Sequence, residues 1–428
     1  MILKKQAISI LTAGLSFGTA WAIRGQFGHE QGAAWAGAIG AFSIVLLARR
    51  SDWHRNILPI ALSSAVGWGL GAIISYGAIA GQYSQSDNFP NAFYGLMMLF
   101  VIGALYGLTG GGLVGLTLDS NRKKMVNWPR LITEMVVGGL LVHSLLIDQL
   151  EILMTPPRCE AWAISLGAAT AMLWYMARNN HWGPVRVALF SALGAGFGFA
   201  FGEFFHMVMN WIKLPFNTWN MAEYSIGFFG GIGMAFGIFN SEWNEKDIEP
   251  TRWENAFSLF ILIAFVPMII FKESFSFEMI AERYKNLVNG ETIAFLTSSS
   301  ALIIMLMMSG TIYLLYRYFD YHTSQLFTRR VFIIYTLVYI LLSYISTGLF
   351  AGTFLKNSNH HLYILNLLAV LVLMRRDDQV FTEGQTNEVN AGKWGMAFLI
   401  IALLIAFFAL LAIQLHGPTD DTFDRFHF

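Results

Sequence analysis

The chain has 428 residues, 55% hydrophobic and only 13% charged, against roughly 25% charged in soluble proteins, which excludes a soluble globular fold and describes a membrane-integral one. Its formal net charge is zero, so no global basic field argues for nucleic acid, and no RNA- or DNA-binding signature is present. A single cysteine, Cys159, excludes an intrachain disulfide and any cysteine-cluster metal or iron–sulfur site.

Apolar windows long enough to cross a hydrocarbon core of about 30 Å as an α-helix fall at 6–23, 32–48, 57–80, 92–117, 130–147, 160–177, 186–208, 220–239, 256–272, 292–316, 330–353, 361–374 and 394–415. The predicted fold is therefore all-α, a polytopic transmembrane bundle of about thirteen spans. The N-terminus MILKKQAISILTAG has the charged and apolar parts of a signal peptide. Its apolar stretch continues to Ile23 without a clear small-residue cleavage site, so it reads as an uncleaved first helix.

Span 1 leads into Arg24, His29 and Glu30, a guanidinium, an imidazole and a carboxylate within seven residues. Ionisable groups at membrane depth are costly and by default mark a binding, transport or catalytic site. Spans 3 and 4 bring Tyr76, Gln82, Asn91 and Tyr94. Span 5 carries Glu134 near one end and His143, Asp148 and Glu151 near the other. Span 7 ends in Glu203 and His206, an i, i+3 pair on one helical face, and span 8 begins with Asn220 and Glu223. Span 11 exits into Lys356, His360 and His361. Trp21, Trp35, Trp211 and Trp219 lie close to the same level, where an aromatic-belt anchor is the ordinary role.

Lys and Arg are retained on the cytoplasmic side, and the connecting segments alternate accordingly: nineteen of the twenty-seven basic residues fall on the N-terminal side and eight on the other. This predicts an N-terminus inside, a C-terminus outside, and the ionisable set above, Glu134 apart, on the outer face of the cell (inner) membrane. No connection exceeds about 25 residues, so no soluble catalytic domain is inserted. The outer segment 273–290 reads either as an interfacial helix or as a solvated loop, and 375–393 as a flexible linker.

ALSSAVGWGLG (61–71) and ALFSALGAGFG (188–198) share seven of eleven positions at an offset of 127. Each is followed by a polar loop and a glycine-rich returning helix, so spans 3–4 and 7–8 read as a parallel repeat, with spans 1–2 as a weaker third relative; similarity of composition alone is the competing account. Glycines at three- to four-residue spacing let helix backbones approach closely. The expected organisation is a glycine-rich core at 1–250, peripheral helices at 251–416 and a short extracytoplasmic tail at 417–428.

The string WAIRGQFGHEQGAAWAGAIGAF resembles the first hairpin of a group of bacterial polytopic membrane proteins with an Arg-Gly…Gly-His-Glu…Gly-Ala core. The likeness covers about 25 residues and implies no activity.

Function follows from the outer polar cluster. The leading expectation is a secondary-transporter-like protein binding a small polar or anionic solute, with a sugar suited to the interleaved Trp and Tyr faces. Its binding set is Arg24, His29, Glu30, Tyr76, Tyr94, Glu203, His206, Asn220 and Glu223, with no catalytic residue assigned and partners limited to the bilayer and the solute. One alternative is a membrane-embedded transferase or hydrolase with His29 or His206 as general base and Arg24 stabilising anionic charge; the lack of an obvious nucleophile stands against it. The other is a non-catalytic scaffold with a fully paired polar cluster, for example Arg24 with Glu203. No cofactor is expected. A metal at His29, Glu30, Glu203 and His206 is a lesser option, because ExxH occurs once only and HEQGA lacks the second histidine of the zinc signature.

Overall fold

The computed structural model describes residues 2–154, 160–214, 216–284, 289–320, 324–346, 358–375, 380–381 and 385–416. Arg158, Cys159, Lys285, Lys356, Arg376, Arg425 and the tail 417–428 lie outside them. The described residues are all-helical and contain no strand, only an isolated bridge between Asn121 and Lys124. Among the described residues, ten helices are long and apolar enough to cross a membrane, as expected of a multi-pass membrane protein.

The first half contains α1 (Ile2–Arg24), α2 (Glu30–Ala48), α3 (Ser51–Arg55), α4 (Ile57–Gly71), α5 (Phe89–Asp119), α6 (Trp128–His143), α7 (Ala161–Arg178), α8 (Trp182–Ile212) and α9 (Thr218–Phe239). The second contains α10 (Arg252–Leu259), α11 (Val266–Phe275), α12 (Phe277–Tyr284), α13 (Gly290–Asp320), α14 (Gln325–Tyr344), α15 (Ser358–Leu373) and α16 (Ala391–His416). Three of the thirteen expected windows are covered by shorter or less apolar helices. The window 57–80 breaks after the 15-residue α4, 361–374 is the 16-residue α15, and 160–177 is the continuous α7, made less apolar by Ser165, Thr170 and the terminal Arg178.

Six helices close a ring, in which α1 packs on α2, α2 on α4, α4 on α5, α5 on α8, α8 on α9 and α9 on α1. Backbones touch because glycines leave room. A Cβ at Gly37 of α2 would lie 2.8 Å from Ser64 O of α4, one at Gly107 of α5 2.1 Å from Ser191 O of α8, and one at Gly227 of α9 2.6 Å from Phe17 O of α1. Phe17, Trp21, Trp68, Tyr106 and Phe199, contributed by α1, α4, α5 and α8, are buried together inside the ring. Trp68 meets Phe17 edge-on at 4.6 Å and Trp21 at 5.2 Å between ring centroids. Trp21 is thus an interior residue. So is Trp35, stacked on Tyr335 and Tyr339 of α14 at 4.9 and 4.7 Å, whereas Trp211 is exposed.

The later helices pack on the outside of this ring: α14 and α11 against α2, α15 against α1, α10 against α4, and α16 against α5 and α8. Within 273–290, α12 is helical and buries Ile280. The expected linker at 375–393 is docked where it is described. Arg186 donates to Glu388 O at 2.7 Å, and Asn387 exchanges hydrogen bonds with the Glu242 backbone at 3.1 and 3.2 Å.

At the end of the bundle opposite Arg24, the segment 240–251 is fastened by charge-assisted hydrogen bonds. Asp52 receives Arg50 through both oxygens at 3.1 and 2.7 Å and the Lys246 backbone N–H at 2.9 Å. The buried Lys246 Nζ donates to Thr117 O and Ser120 O, both at 2.8 Å, satisfying carbonyls at the C-terminus of α5. Its burial pushes the amine down to about 8, against the opposing charges of Asp52 and Asp119. Burial alone would raise the Asp52 carboxyl, but the Arg50 and Lys246 hydrogen bonds hold it below its ordinary value.

His54 on α3 is buried and its Nδ1 meets Thr328 Oγ1 of α14 at 3.0 Å. Burial pushes this imidazole from 6.5 down to about 4. Between those values the unfolded chain binds a proton that the folded chain refuses, so stability falls as pH drops through that window. At about 1.4 kcal/mol per pH unit the loss reaches at most roughly 3 kcal/mol. Thermal unfolding in detergent between pH 7 and 4 is expected to show this decline, and a His54→Asn variant to flatten it; an equally steep profile in the variant would assign the decline to other groups.

Candidate functional site

The site is set by the turn between α1 and α2. Gly28 has φ +89°, and a Cβ there would also collide with Gln31 Nε2, so glycine alone permits the turn. It brings Gly32 against the Arg24 carbonyl oxygen, where a Cβ would lie at 2.8 Å. Arg24 is thereby pinned at the end of α1 with 1% of its surface exposed.

Its guanidinium is the hub. Nη2 forms an ion pair with Glu223 Oε2 of α9 at 3.1 Å and reaches the Tyr76 hydroxyl at 3.5 Å. Tyr76 in turn donates to Glu223 Oε1 at 2.7 Å. Nη1 lies 3.3 Å from His29 Nδ1; arginine can only donate, so this nitrogen is the acceptor of a ring whose proton sits on Nε2. The cation also lies over the Trp21 ring at 5.0 Å, a favourable stacking for a desolvated guanidinium. Arg24 Nε has no hydrogen-bond partner.

Tyr76 is delivered by non-helical chain. After α4 stops at Gly71, residues 72–76 are irregular and a π-helical turn follows at Ile79–Tyr83. Irregular backbone at membrane depth is tolerated where it is buried in protein or lines a cavity. Here it does the latter. A cavity of about 210 Å³ is lined by Arg24, Gly25, Gly28, His29, Ser75, Tyr76, Gly77, Trp219 and Glu223. The Trp219 ring is roughly parallel to Tyr76 at 6.2 Å.

Of the residues expected from sequence, Arg24, His29, Tyr76 and Glu223 line this cavity and five others do not. Glu30 is exposed in the first turn of α2. Glu203 is fully buried and faces Ser84 and Gln85, so the ion pair of Arg24 is with Glu223 and not with Glu203. His206 bonds Asn210 at 3.1 Å and sits edge-on to Trp219 at 5.4 Å, one layer behind the wall. Asn220 donates to Tyr363 of α15 at 2.9 Å, and Tyr94 packs on Tyr83 at 5.5 Å.

The remaining ionisable residues are engaged elsewhere. Glu134 is held by Arg130 and Arg178 at 2.8 Å in a surface network. His143 lies 3.8 Å from Asp148. His360 is buried against Ser343 at 2.8 Å, and His361 bonds Tyr344 at 2.9 Å. Among the described residues no group of three or more His, Cys, Asp or Glu side chains stands at metal-binding spacing. Sequence reasoning did not assign Ser75 or the glycines 25, 28 and 77 to the site, and left Trp219 between a belt anchor and a ligand face. The available signal was the run GLGAIISYGAIAG (69–81), whose glycines disfavour a continuous helix.

No family model, no curated protein and no solved structure matches this chain.

Proposed function

We propose that the chain is a secondary-transporter-like protein of the cell (inner) membrane that binds a small polar or anionic solute in the Arg24 cavity. The observation that carries this reading is a buried ion pair bordering a polar cavity beside a broken span. Ionisable residues in spans mark solute paths by default, and discontinuous helices are where transporters build their sites. At about 210 Å³ the cavity is smaller than the ~300–1,000 Å³ of drug-sized sites, which suits a small solute. Arg24 would hold an anionic or hydroxyl group, Tyr76, Glu223 and His29 would complete the polar contacts, and the Trp219 face would suit a sugar ring.

Orientation and duplication belong to the same proposal. The excess of Lys and Arg at the Lys246 end supports a cytoplasmic placement there and an outward-facing cavity. Thirteen passages remain the count that keeps this alternation, with α4 and α15 as short ones and α7 as a less apolar one. Three hairpins, α1–α2, α4–α5 and α8–α9, share Gly-x-x-Gly-Gly/Ala at 37–41, 107–111 and 227–231. The oxygen met by the first glycine of each motif belongs to Ser64, Ser191 or Phe17. Ser64 and Ser191 are repeat mates at the offset of 127, and aligning Leu15-Ser16…Trp21 with Leu62-Ser63…Trp68 matches Phe17 to Ser64. These coincidences support three parallel copies of one hairpin arranged around the ring.

The test is uptake by purified protein in proteoliposomes of labelled hexoses, hexuronates and small carboxylates, with and without a proton or sodium gradient. Tyr76→Phe removes one hydrogen bond worth about 1–1.5 kcal/mol, and the half-saturating concentration should rise about 5- to 12-fold. Uptake unchanged in Arg24→Ala and Glu223→Gln would remove the roles assigned to this pair.

A further inference from the structure

Two carboxylates are almost completely enclosed among the described residues, Glu203 and Glu223, at 0% and 1% exposure. Glu223 has its cation in Arg24, 3.1 Å away. Among the described residues, the groups that act on Glu203 are Gln85, Ser84 and Glu223, none of them a cation. Its Oε1 lies 3.3 Å from Gln85 Nε2 and 3.4 Å from Ser84 Oγ, and its Oε2 has no hydrogen-bond partner. The Ser84 contact does not stabilise a charge either. That hydroxyl has one proton for two acceptors, Ala80 O at 2.6 Å and Glu203 Oε1 at 3.4 Å; given to the much closer Ala80 O, it leaves the serine oxygen to accept from Glu203.

An ionised Glu203 would thus be an enclosed anion with a single long amide donor, a state proteins avoid by taking up a proton. A neutral acid satisfies the same geometry: its O–H donates to Ser84 Oγ, which donates to Ala80 O, one chain of bonds running in one direction. We propose that Glu203 is a proton-binding site, occupied in this conformation and emptied to water when the 79–85 turn moves off α8. The only bond that changes is the carboxyl O–H, and the proton leaves to solvent. Use of this site to couple solute movement to a proton gradient rests on the transport reading above; the site itself does not.

The groups facing Glu203 support the assignment. From α9 it faces Glu223, already matched by Arg24. On its own helix, His206 is turned to Asn210 and Trp219. The 79–85 turn brings Tyr83, engaged with Tyr94, and α16 packs on this stretch of α8 through Phe408, stacked on Phe204 at 4.7 Å. The turn is set against α5 at Gly95, where a Cβ would lie 2.3 Å from Ser84 N.

Infrared spectra of the purified full-length protein in sodium-free buffer test this directly. At pH 7 the wild type should show a protonated carboxylic acid band that disappears reversibly as pH is raised and is absent from Glu203→Gln. Glu203→Asp keeps the carboxyl and should shift the band, which makes the assignment independent of how well the glutamine variant folds. Spectra at pH 7 with only carboxylate bands would overturn the proposal. So would carboxylate bands that shift on adding sodium chloride but not choline chloride, since that marks a cation site. An acid band at Glu203 without uptake of any solute would leave the proton site standing and remove the transport reading; uptake without the band would do the reverse.

Discussion

Arg24→Met is expected to destabilise the protein by about 3–5 kcal/mol, because it strands the buried Glu223 carboxylate with Tyr76 as its remaining partner. Glu223→Gln should cost less, since Tyr76 can still donate to the amide oxygen. The double variant Arg24→Met/Glu223→Gln should recover most of the loss, because replacing both members of a buried pair by groups of similar shape is often close to neutral. Thermal unfolding of the four proteins in one detergent measures this cycle, and a loss in the double variant equal to the sum of the two single losses would show that the two charges are not coupled. Binding separates structure from function. If the pair is only a fastening between α1 and α9, the recovered double variant binds solute like the wild type. If Arg24 holds the solute, stability returns and binding does not.

That Arg24, His29, Tyr76 and Glu223 share one end of the bundle was legible in the sequence, and their pairing was not. Arg24, His29, Tyr76 and Glu223 could be assigned to one end of the bundle because span direction and basic charge place every helix end on a side. Which carboxylate meets Arg24 depends on the rotation of α8 and α9 about their axes, and glycine-rich helices with apolar residues on all sides carry little periodic signal to fix it. Glu203 of α8 and Glu223 of α9 are both buried, and only the second meets Arg24. Trp21 and Trp35 were ambiguous for a related reason: sequence gives depth in the membrane but not distance from the bundle axis. The irregular stretch 72–76 was hidden inside an apolar window whose hydropathy does not register a broken helix. Lys246 was counted as one more basic residue in a loop, whereas the fold uses it to satisfy the end of α5. The close contacts at glycine, by contrast, were announced by spacing alone.

Those contacts carry the second large effect. Gly107→Ala would place a methyl 2.1 Å from Ser191 O and 2.3 Å from its carbonyl carbon. Neither atom belongs to a side chain that can turn away, so α5 and α8 must separate. Overpacking typically costs about 1–3 kcal/mol, and a backbone collision along the two longest ring helices should exceed that range. Gly227→Ala, at 2.6 Å from Phe17 O, and Gly37→Ala, at 2.8 Å from Ser64 O, should follow in that order. Gly310→Ala in α13 meets nothing within 4 Å and should be neutral or slightly stabilising, as helix propensity favours alanine by up to about 1 kcal/mol. Thermal unfolding checks the ranking, and a Gly107→Ala protein as stable as Gly310→Ala would contradict the close-packed ring. In a bilayer the outcome is sharp, because helices there are held by close packing and interhelical hydrogen bonds with no hydrophobic gain to compensate for separation. The three sites should also differ in what they do to the cavity. Gly227 lies one turn from Glu223, and its added methyl would press on the Cβ of Trp21 at 2.4 Å, one turn from Arg24. Parting α1 from α9 there draws the ion pair open, so Gly227→Ala should weaken solute binding more than its loss of stability predicts, whereas Gly37→Ala, which presses α2 against α4 away from that pair, should not.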